Sequence, residues 1–418
     1  MPLGIRDFHY LNDKGLLFFA LSDMKITSRL DSYLTNMNLP WEQKDDTYAT
    51  VGALIFYRVG LRETDGQWVF TRLWAKNFPV QTNILYWIPE KQQMLLGMDN
   101  GRIYVFSITN KGVSLSQDAD IHAHSKRVMG IAYDVENNHI LSISEDGKFK
   151  CSDISTEEPV HEEIIGRGGL KSMIHDKFYK RLFIGDGDGS IHIINYSNYP
   201  PELVGSVKSQ SGSCIRGMCI DNDLKYLFTG DTNGNINCFD LGPIGKERFA
   251  KQLNQMAGLS KLRYLVWTDG NREIFAGNDN GKITVWDANK GQSIFVLEAH
   301  DTAITKMQWF EKSRYLMTAS KEKSLCIWEV PKVWIQEEVP DGKQNDEEAK
   351  FKTMKLKEVL EEHKDDDSNF KYAQPEANLA SDTTSFANMN QGLDPLGGGQ
   401  IKANKMNTDD DDLLGWNN

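Results

Sequence analysis

One short pattern recurs six times between residues 95 and 329, and it constrains the fold more than any other feature of this sequence. In the first five copies a pair of apolar residues leads into small residues, then Asp-Gly or Asn-Gly, then an alternating strand. Such turns between alternating strands predict tight hairpins, because both turn residues need positive φ. The equivalent positions are 42 to 47 residues apart and are Gly101, Gly147, Gly189, Gly234, Gly281 and, in the sixth copy, Lys323.

The length of the repeat predicts the architecture. A period of about 40–45 residues with a Trp-Asp strand end, as at Trp286-Asp287, is typical of the four-stranded blades of a WD40 propeller. Each blade must stack on neighbours, because alone it cannot bury its faces. A seventh blade is predicted ahead of Gly97 from apolar strands at Gly15–Ala20 and Ala53–Val59, with Trp68–Leu73 opening the next blade. We therefore predict an all-β, seven-bladed propeller over residues 1–335.

Three segments narrow the resemblance to one group of WD40 proteins. Leu96–Gly101, Phe183–Gly189 and Gly66–Trp68 resemble the propeller of the WD repeat and FYVE domain proteins, over roughly residues 15–330. In that family the FYVE module would interrupt the chain near Asn289–Gln292. Here Asp287 reaches the next strand through a short turn, and the zinc-binding cysteines and basic phosphoinositide motif are absent. The resemblance therefore does not imply lipid binding through a FYVE module.

The WD40 resemblance also implies hydrogen-bonded networks inside the blades. In this family a His before the first strand joins a Ser or Thr, an acidic residue and the strand-end Trp, and such buried polar networks rigidify a blade. The matching positions are His300, Thr318, Glu322 and Trp328 in the last blade, His124, Ser142 and Asp146 in the third, and Trp286 in the sixth. Ser152 replaces the Trp of the third blade. We interpret these residues as structural, not catalytic.

Charged residues beside the repeated turns form a candidate docking surface on one propeller face. Rigid loops on a scaffold are common binding sites. The candidates are Asp99, Glu145, Thr232 and Asp279 before the turns, and Lys126, Arg127, Arg216 and Lys306 at nearby loop starts. A solvated rim without a partner is the alternative.

The sequence offers no chemistry that favours an enzyme, a cofactor or a metal site. Gly185–Gly189 alternates Gly and Asp but lies between two strands, so a hairpin explains it better than a phosphate loop or a carboxylate site. The five cysteines contain no C-x-x-C pair, which argues against zinc and favours buried thiols in a reducing compartment. Residues 1–334 are nearly neutral, with 40 acidic and 38 basic residues, which argues against nucleic acid as a partner. The longest apolar run, Gly15–Leu21, is too short for membrane insertion.

The C-terminal part differs in composition and carries most of the net charge of −12, with 19 acidic and 9 basic residues from Ile335 onward. We predict a helix within 336–364 that either packs on the propeller or binds a partner, and a disordered acidic tail over 365–418. Two apolar islands suggest docking motifs: Asp394 with Leu396, and Asp412, Leu413, Leu414 and Trp416 after Asp409–Asp411. The second is similar to peptides that bind clathrin and its adaptors; another partner or a solvated tail are the alternatives.

Together these features predict a non-enzymatic protein-interaction scaffold. The resemblance and the tail favour vesicle or endosomal trafficking, with the protein in the cytoplasm and peripheral on endosomes or vesicles. The alternative is a stable subunit of a larger cytoskeletal or ciliary assembly. A substrate receptor of a ubiquitin ligase is disfavoured, because Asp287 is followed by Ala288 and Asn289 instead of the Trp-Asp-x-Arg motif.

Overall fold

A computed structural model describes most of the repeat region and two short C-terminal strands. The described residues are 4–22, 51–62, 68–109, 114–209, 211–242, 260–268, 272–322, 324–330, 352–355 and 402–407. They form seven β-sheets, each of which is one blade of a propeller. The predicted all-β, seven-bladed propeller is confirmed. No helix in these ranges has the length and apolarity needed to cross a bilayer.

The first four blades have four antiparallel strands each. Blade 1 contains β1 (Gly4–Leu11), β2 (Leu16–Ser22), β3 (Gly52–Leu61) and β4 (Trp68–Phe78). Blade 2 contains β5 (Thr82–Ile88), β6 (Gln93–Met98), β7 (Arg102–Thr109) and β8 (Ser114–His122). Blade 3 contains β9 (Val128–Asp134), β10 (His139–Ser144), β11 (Lys148–Asp153) and β12 (Pro159–Ile164). Blade 4 contains β13 (Leu170–Asp176), β14 (Arg181–Asp186), β15 (Ser190–Asn195) and β16 (Glu202–Lys208).

The strands of the remaining blades also follow chain order from the inner to the outer strand, except in blade 7, where the last two exchange places. Blade 5 shows β17 (Ile215–Ile220), β18 (Tyr226–Asp231) and β19 (Ile236–Asp240) among the described residues. Blade 6 contains β20 (Leu262–Thr268), β21 (Glu273–Asn278), β22 (Lys282–Asp287) and β23 (Gln292–Glu298). Blade 7 contains β24 (Ile304–Phe310), β25 (Tyr315–Ser320), β26 (Ser324–Glu329), β27 (Lys352–Lys355) and β28 (Lys402–Asn407).

The inner strands close the ring. Each first strand of a blade contacts the first strands of the two neighbouring blades, and β24 contacts β1. Apolar side chains fill the space between adjacent blades. Between blades 1 and 2, Phe18 stacks on Phe56 with ring centroids 4.5 Å apart, and both pack with Trp87 and Phe106. Each interface therefore adds a hydrophobic layer that a single blade could not form.

The repeated glycines have positive φ as the turn pattern predicts, but the Asp or Asn residue before each of them does not, so only one of the two turn residues behaves as expected. Gly101 and Gly281 have φ of 85° and 83°. A Cβ on Gly281 would lie 1.9 Å from the carbonyl oxygen of His300, so this position also requires a close approach of two backbones. Glycine satisfies both conditions, because it has no Cβ.

The first blade differs from the prediction in one respect. Trp68–Leu73 was expected to open the second blade, but it belongs to β4, which pairs with β3 as the outer strand of blade 1. The second blade opens at β5 instead. The apolar alternation of Trp68–Leu73 fits either position, and only the pairing partner distinguishes them.

Two short segments of the C-terminal part are strands that extend blade 7. β28 pairs antiparallel with β26, and β27 pairs in parallel with β28. These two strands lie within the segments predicted as a helix over 336–364 and as a disordered tail over 365–418. β26 offers a row of backbone donors and acceptors with which β28 pairs. The rest of both predicted segments lies outside the described residues.

Candidate functional site

All seven inner strands carry a one-residue irregularity at the same place. The pairing of each first strand with the second skips one residue near its start. A bulge of this kind re-aims the side chain of the extra residue. The skipped residues are Arg6, Asn83, Met129, Lys171, Arg216, Arg263 and Thr305, so four of the seven positions carry a basic side chain.

These basic residues lie at the propeller end that also carries the turns between the second and third strands of the blades. Arg127 Nε donates to Asp99 Oδ1 over 2.7 Å, and Lys171 Nζ lies 3.0 Å from Glu145 Oε1. Arg263 pairs in the same way with Asp279. We call this end the channel face. Its basic rim comprises Arg6, Arg127, Lys171, Arg216, Arg263 and Lys321.

Three members of the basic rim have no carboxylate within salt-bridge distance among the described residues: Arg6, Arg216 and Lys321. Arg6 donates from Nη2 to Gln81 Oε1 over 3.2 Å, while its buried Nε has no hydrogen-bond partner among the described residues. Burial and the neighbouring charges of Arg127 and Arg263 lower the pKa of Arg6 to about 10, although the carboxylates of Asp99 and Glu145 act in the opposite direction. The cations are therefore close enough to repel one another across the channel.

Neighbouring charges also shift the pKa values of two other groups at the rim. Burial and the charge of Arg263 lower the pKa of Lys321, which also senses Arg6 and Arg216. Burial alone would raise the pKa of Glu145, but Lys171, Arg127 and Arg216 lower it overall. Six cations face the three carboxylates Asp99, Glu145 and Asp279, and the exposed Asp188 lies in the equivalent turn of blade 4, so the cations outnumber these four carboxylates by two.

Three other carboxylates at this end are held within their own blades. Asp186 Oδ2 lies 3.0 Å from His192 Nε2, and Asp231 Oδ2 accepts from Ser211 and Asn235 at 2.6 and 3.0 Å. Glu322 accepts from the Asp301 amide and Ser324 at 3.1 and 3.0 Å. These groups order turns and networks instead of neutralising the rim.

The predicted docking residues lie in different environments in the structure. Asp99, Glu145, Asp279, Arg127 and Arg216 lie on the channel face. Thr232 and Lys126 are in turns at the same end, where the Thr232 amide donates to the Cys214 carbonyl over 3.0 Å and Lys126 is exposed.

Lys306 is placed differently from the other predicted docking residues. Its Nζ lies 3.1 Å from Oδ1 of the buried Asp7, an ion pair that joins blade 7 to blade 1. Although burial opposes it, this carboxylate raises the pKa of Lys306. The ammonium of Lys306 therefore holds the ring together and is not presented to a partner.

The residues predicted to form the network of blade 7 come together. His300 Nε2 lies 2.8 Å from Thr318 Oγ1, to which Trp328 Nε1 donates over 2.9 Å. His300 Nδ1 lies 2.7 Å from Ser324 Oγ and 3.7 Å from Glu322 Oε1. Ser324 is the member that the sequence analysis missed.

Blade 3 contains a shorter network. His124 lies between Ser142 Oγ at 2.9 Å and Asp146 Oδ2 at 3.1 Å. Burial would raise the pKa of Asp146, but His124 and the backbone amides of Lys148 and Ser125 lower it well below its usual range. Ser152 is buried at the position of the missing Trp, and Trp286 of blade 6 packs in the apolar layer between blades 5 and 6.

The sequence analysis missed Arg6, Lys171, Arg263 and Lys321 of the basic rim. A positional signal for three bulge residues was present, because Lys171, Arg216 and Arg263 each precede the turn glycine of their blade by 18 residues. Arg6 follows no such spacing, since blade 1 lacks the repeated turn.

Apolar side chains are exposed at the opposite end of blade 4. Phe178 is 77% exposed and Tyr179 is 41% exposed, in the turn between β13 and β14. The two rings contact each other edge to face. This turn is a second surface feature that the sequence analysis missed.

The predicted tail site consists of Asp394, Leu396, Asp412, Leu413, Leu414 and Trp416, all outside the described residues. Within the described ranges no group of three His, Cys, Asp or Glu side chains is arranged to hold a metal ion. All five cysteines are free thiols, of which Cys214 alone is not fully buried.

A family model supports the repeat assignment. The description "WD domain, G-beta repeat" matches residues 291–329, which cover the outer strand of blade 6 and most of blade 7. These residues form a WD40 repeat, and the ring as a whole has the fold of a WD40 propeller. In this WD40 propeller a turn of only four residues joins β22 to β23. This is the place at which a FYVE module would interrupt the chain in the WD repeat and FYVE domain proteins.

Relatives of the WD40 propeller agree with the resemblance. WD repeat and FYVE domain-containing protein 2 of Caenorhabditis elegans is 24% identical over 213 residues, which are 50% of this chain and 49% of the relative. The human protein of the same name is 24% identical over 190 residues, covering 44% and 45% of the two chains. WD repeat-containing protein 1 of Xenopus tropicalis is 27% identical over 224 residues, covering 51% and 35%. The matched region spans about half the length of the first two relatives, or less.

Solved structures share the fold. Chaetomium thermophilum Sqt1, bound to the N-terminus of ribosomal protein L10, superposes with a TM-score of 0.56 at 15% identity, covering 66% of this chain and 78% of that one. A chain of the mitotic checkpoint complex gives a TM-score of 0.53 at 14% identity, covering 68% and 85%. At these identities the similarity concerns the architecture alone.

Proposed function

We propose that this WD40 propeller is a non-enzymatic protein-interaction scaffold whose basic rim binds an acidic segment of a partner protein. The single observation that carries the proposal is the charge excess at the rim, where Arg6, Arg216 and Lys321 face the channel without a carboxylate partner among the described residues. WD40 propellers generally act as protein-interaction scaffolds, and the solved neighbour Sqt1 is bound to a segment of another protein.

The chemistry of the rim selects the class of partner. Hydrogen bonds to charged groups contribute about 1.5–3 kcal/mol each, which makes a carboxylate-rich peptide the best complement to partly buried guanidinium groups. Concentrated positive charge in a cleft also accelerates encounter with an acidic segment, and added salt weakens this effect. We therefore expect affinity to fall as ionic strength rises.

Affinity purification of the full chain beside a rim variant tests this function. The variant R6E/R216E/K321E reverses the three uncompensated charges. K225E/K290E/K312E is the matched control, because Lys225, Lys290 and Lys312 are exposed between strands at the opposite end of the blades. Quantitative mass spectrometry should show specific partners lost at least fivefold with the rim variant and retained with the control. Equal recovery from both variants would place the binding surface elsewhere.

The finer proposal places the scaffold in vesicle or endosomal trafficking, in the cytoplasm and peripheral on endosomes. The similarity to WD repeat and FYVE domain-containing protein 2 and the Asp412–Trp416 motif support it. In this version Leu413, Leu414 and Trp416 fill apolar pockets of clathrin or an adaptor. Calorimetry of the full chain against clathrin and adaptor ear domains, beside L413A/L414A/W416A, tests it; no heat at high micromolar concentration rejects a coat ligand.

The exposed Phe178 and Tyr179 favour a second candidate, a stable subunit of a larger assembly. Large apolar side chains exposed together often mark a protein interface. Size-exclusion chromatography of native extract distinguishes this candidate: a constant high mass that F178S abolishes supports it, and elution at the monomer position excludes it.

A further inference from the structure

The path of the C-terminal chain leads to the channel face. β28 is antiparallel to β26, and its last residue, Asn407, pairs with Ser324, the first residue of β26. Ser324 follows the turn that carries Lys321, so the chain leaves β28 at the same end of blade 7 as the basic rim. The outer strands of other blades also end here, for example β8, which leads to Arg127 through a short loop.

The next residues are long enough to reach the rim. Asp409–Asp412 begins two residues beyond Asn407. Five residues from Asn407 to Asp412 extend to about 17 Å, at about 3.3 Å per residue. Three spacings of about 4.8 Å, or about 14 Å in all, separate the outer and inner strands of a blade. This length is therefore sufficient for the aspartates to cross the top of blade 7 and meet Lys321.

The charges of the two elements are complementary. Four consecutive aspartates follow β28, and three uncompensated cations, Arg6, Arg216 and Lys321, lie at the rim. We propose that Asp409–Asp412 binds the basic rim of its own propeller and so occupies the site where a partner's acidic segment would bind. This inference rests on the proposed preference of the rim for acidic segments.

The tether makes this contact effective even if it is weak. A short linker gives the bound segment an effective concentration in the millimolar range, so an acidic partner must compete with it. Displacement of the aspartates would also release Leu413, Leu414 and Trp416, which follow them directly. Partner binding at the rim and exposure of the tail motif are then coupled.

A binding assay with a probe of known sequence tests the inference. The probe is a fluorescein-labelled peptide of residues 408–418, and fluorescence anisotropy measures its Kd. The proteins are the full chain and a tail-neutral full chain, D409N/D410N/D411N/D412N, which keeps length and all strands. We expect the tail-neutral chain to bind the probe at least tenfold more tightly, because its rim is unoccupied.

Two further variants test whether the probe binds at the basic rim. Adding R6Q/R216Q/K321Q to the tail-neutral chain should remove probe binding, whereas adding K225Q/K290Q/K312Q should leave Kd within twofold. Rim-dependent binding with equal Kd for both parent chains would overturn occupancy by the tail and leave the proposed function intact. Absence of probe binding to the tail-neutral chain would overturn the inference, and the proposed function would then depend on the partner-recovery experiment alone.

The assay also separates binding within one chain from binding between two copies. Occupancy by the chain's own tail does not depend on protein concentration. A difference between the parent chains that disappears on dilution would identify a second copy as the occupant and overturn the inference.

Discussion

The side-chain amide of Gln308 exchanges two hydrogen bonds with the backbone of Tyr10, 298 residues earlier in the chain. Gln308 Nε2 donates to the Tyr10 carbonyl, and the Tyr10 amide donates to Gln308 Oε1, each over 3.0 Å. This pair lies at the seam between blades 7 and 1, next to the ion pair of Lys306 with Asp7. The seam therefore joins the first and last blades through specific polar contacts as well as apolar packing.

The two hydrogen bonds at the seam predict that loss of the Gln308 side-chain amide strongly destabilises the protein. Q308L should lower the free energy of unfolding by roughly 2–3 kcal/mol, because it leaves a backbone donor and acceptor at the seam unpaired. Urea unfolding followed by tryptophan fluorescence measures the change. Q292A is the control, since Gln292 is exposed on β23, and should change stability by less than about 0.5 kcal/mol. Equal effects of the two variants would show that the seam bonds are dispensable.

The network of blade 7 predicts the cost of removing its shared hydroxyl. T318V keeps the shape of the side chain but removes the oxygen that contacts both His300 and Trp328. We expect a loss of about 1–3 kcal/mol, because two buried polar groups lose their partner. Thermal unfolding of T318V beside T156V, which changes an exposed turn residue, measures it. A loss no greater than that of T156V would contradict a structural role for the network.

The turn glycines predict opposite outcomes for the same substitution at two sites. G281A should destabilise the protein by more than about 2 kcal/mol, because φ is 83° and the new Cβ would overlap the His300 carbonyl. G205A is the matched control, since no atom lies within 4 Å of its Cβ position on β16. It should be neutral or slightly stabilising. The two midpoints in urea give the comparison, and similar midpoints would refute the steric argument.

Two half-buried histidines predict that stability falls on mild acidification. Burial, assisted by Lys306, lowers the pKa of His9 to about 4, and burial with Lys177 lowers that of His175 to about 4. The unfolded chain binds these protons near pH 6.5 and the folded chain does not, so stability decreases as pH falls from about 6.5 to about 4. Each group contributes on the order of 2–3 kcal/mol over that window.

Urea unfolding at neutral pH and at about pH 4.5 measures this slope. H9N should make the slope shallower, because one of the titrating histidines is removed. H122N serves as the control, since His122 is exposed at the end of β8. An unchanged slope in H9N would show that His9 does not contribute to the pH dependence.

The repeated turns carry most of what could be predicted about the fold. Turns at fixed intervals specify hairpins, and hairpins at that interval specify six of the blades, whereas the first blade was predicted from its apolar strands alone. The placement of Trp68–Leu73 was wrong, because alternation identifies a strand and not the strand it pairs with. The strand at Lys402–Asn407 escaped prediction for the same reason: its polar sequence has little propensity of its own, and the free edge of β26 determines its pairing.

The residues of the candidate site also fall into two groups: those that the sequence identified and those that only the structure identified. The sequence by itself identified Asp99, Glu145, Asp279, Arg127 and Arg216 as neighbours of repeated turns, because their position along each repeat is a local property. Only the tertiary structure brought Arg6, Lys171, Arg263 and Lys321 to the same rim and moved Lys306 into an ion pair with Asp7. Closing a ring places residues from distant repeats at one channel, and the charge excess arises from distances between blades that no single repeat contains.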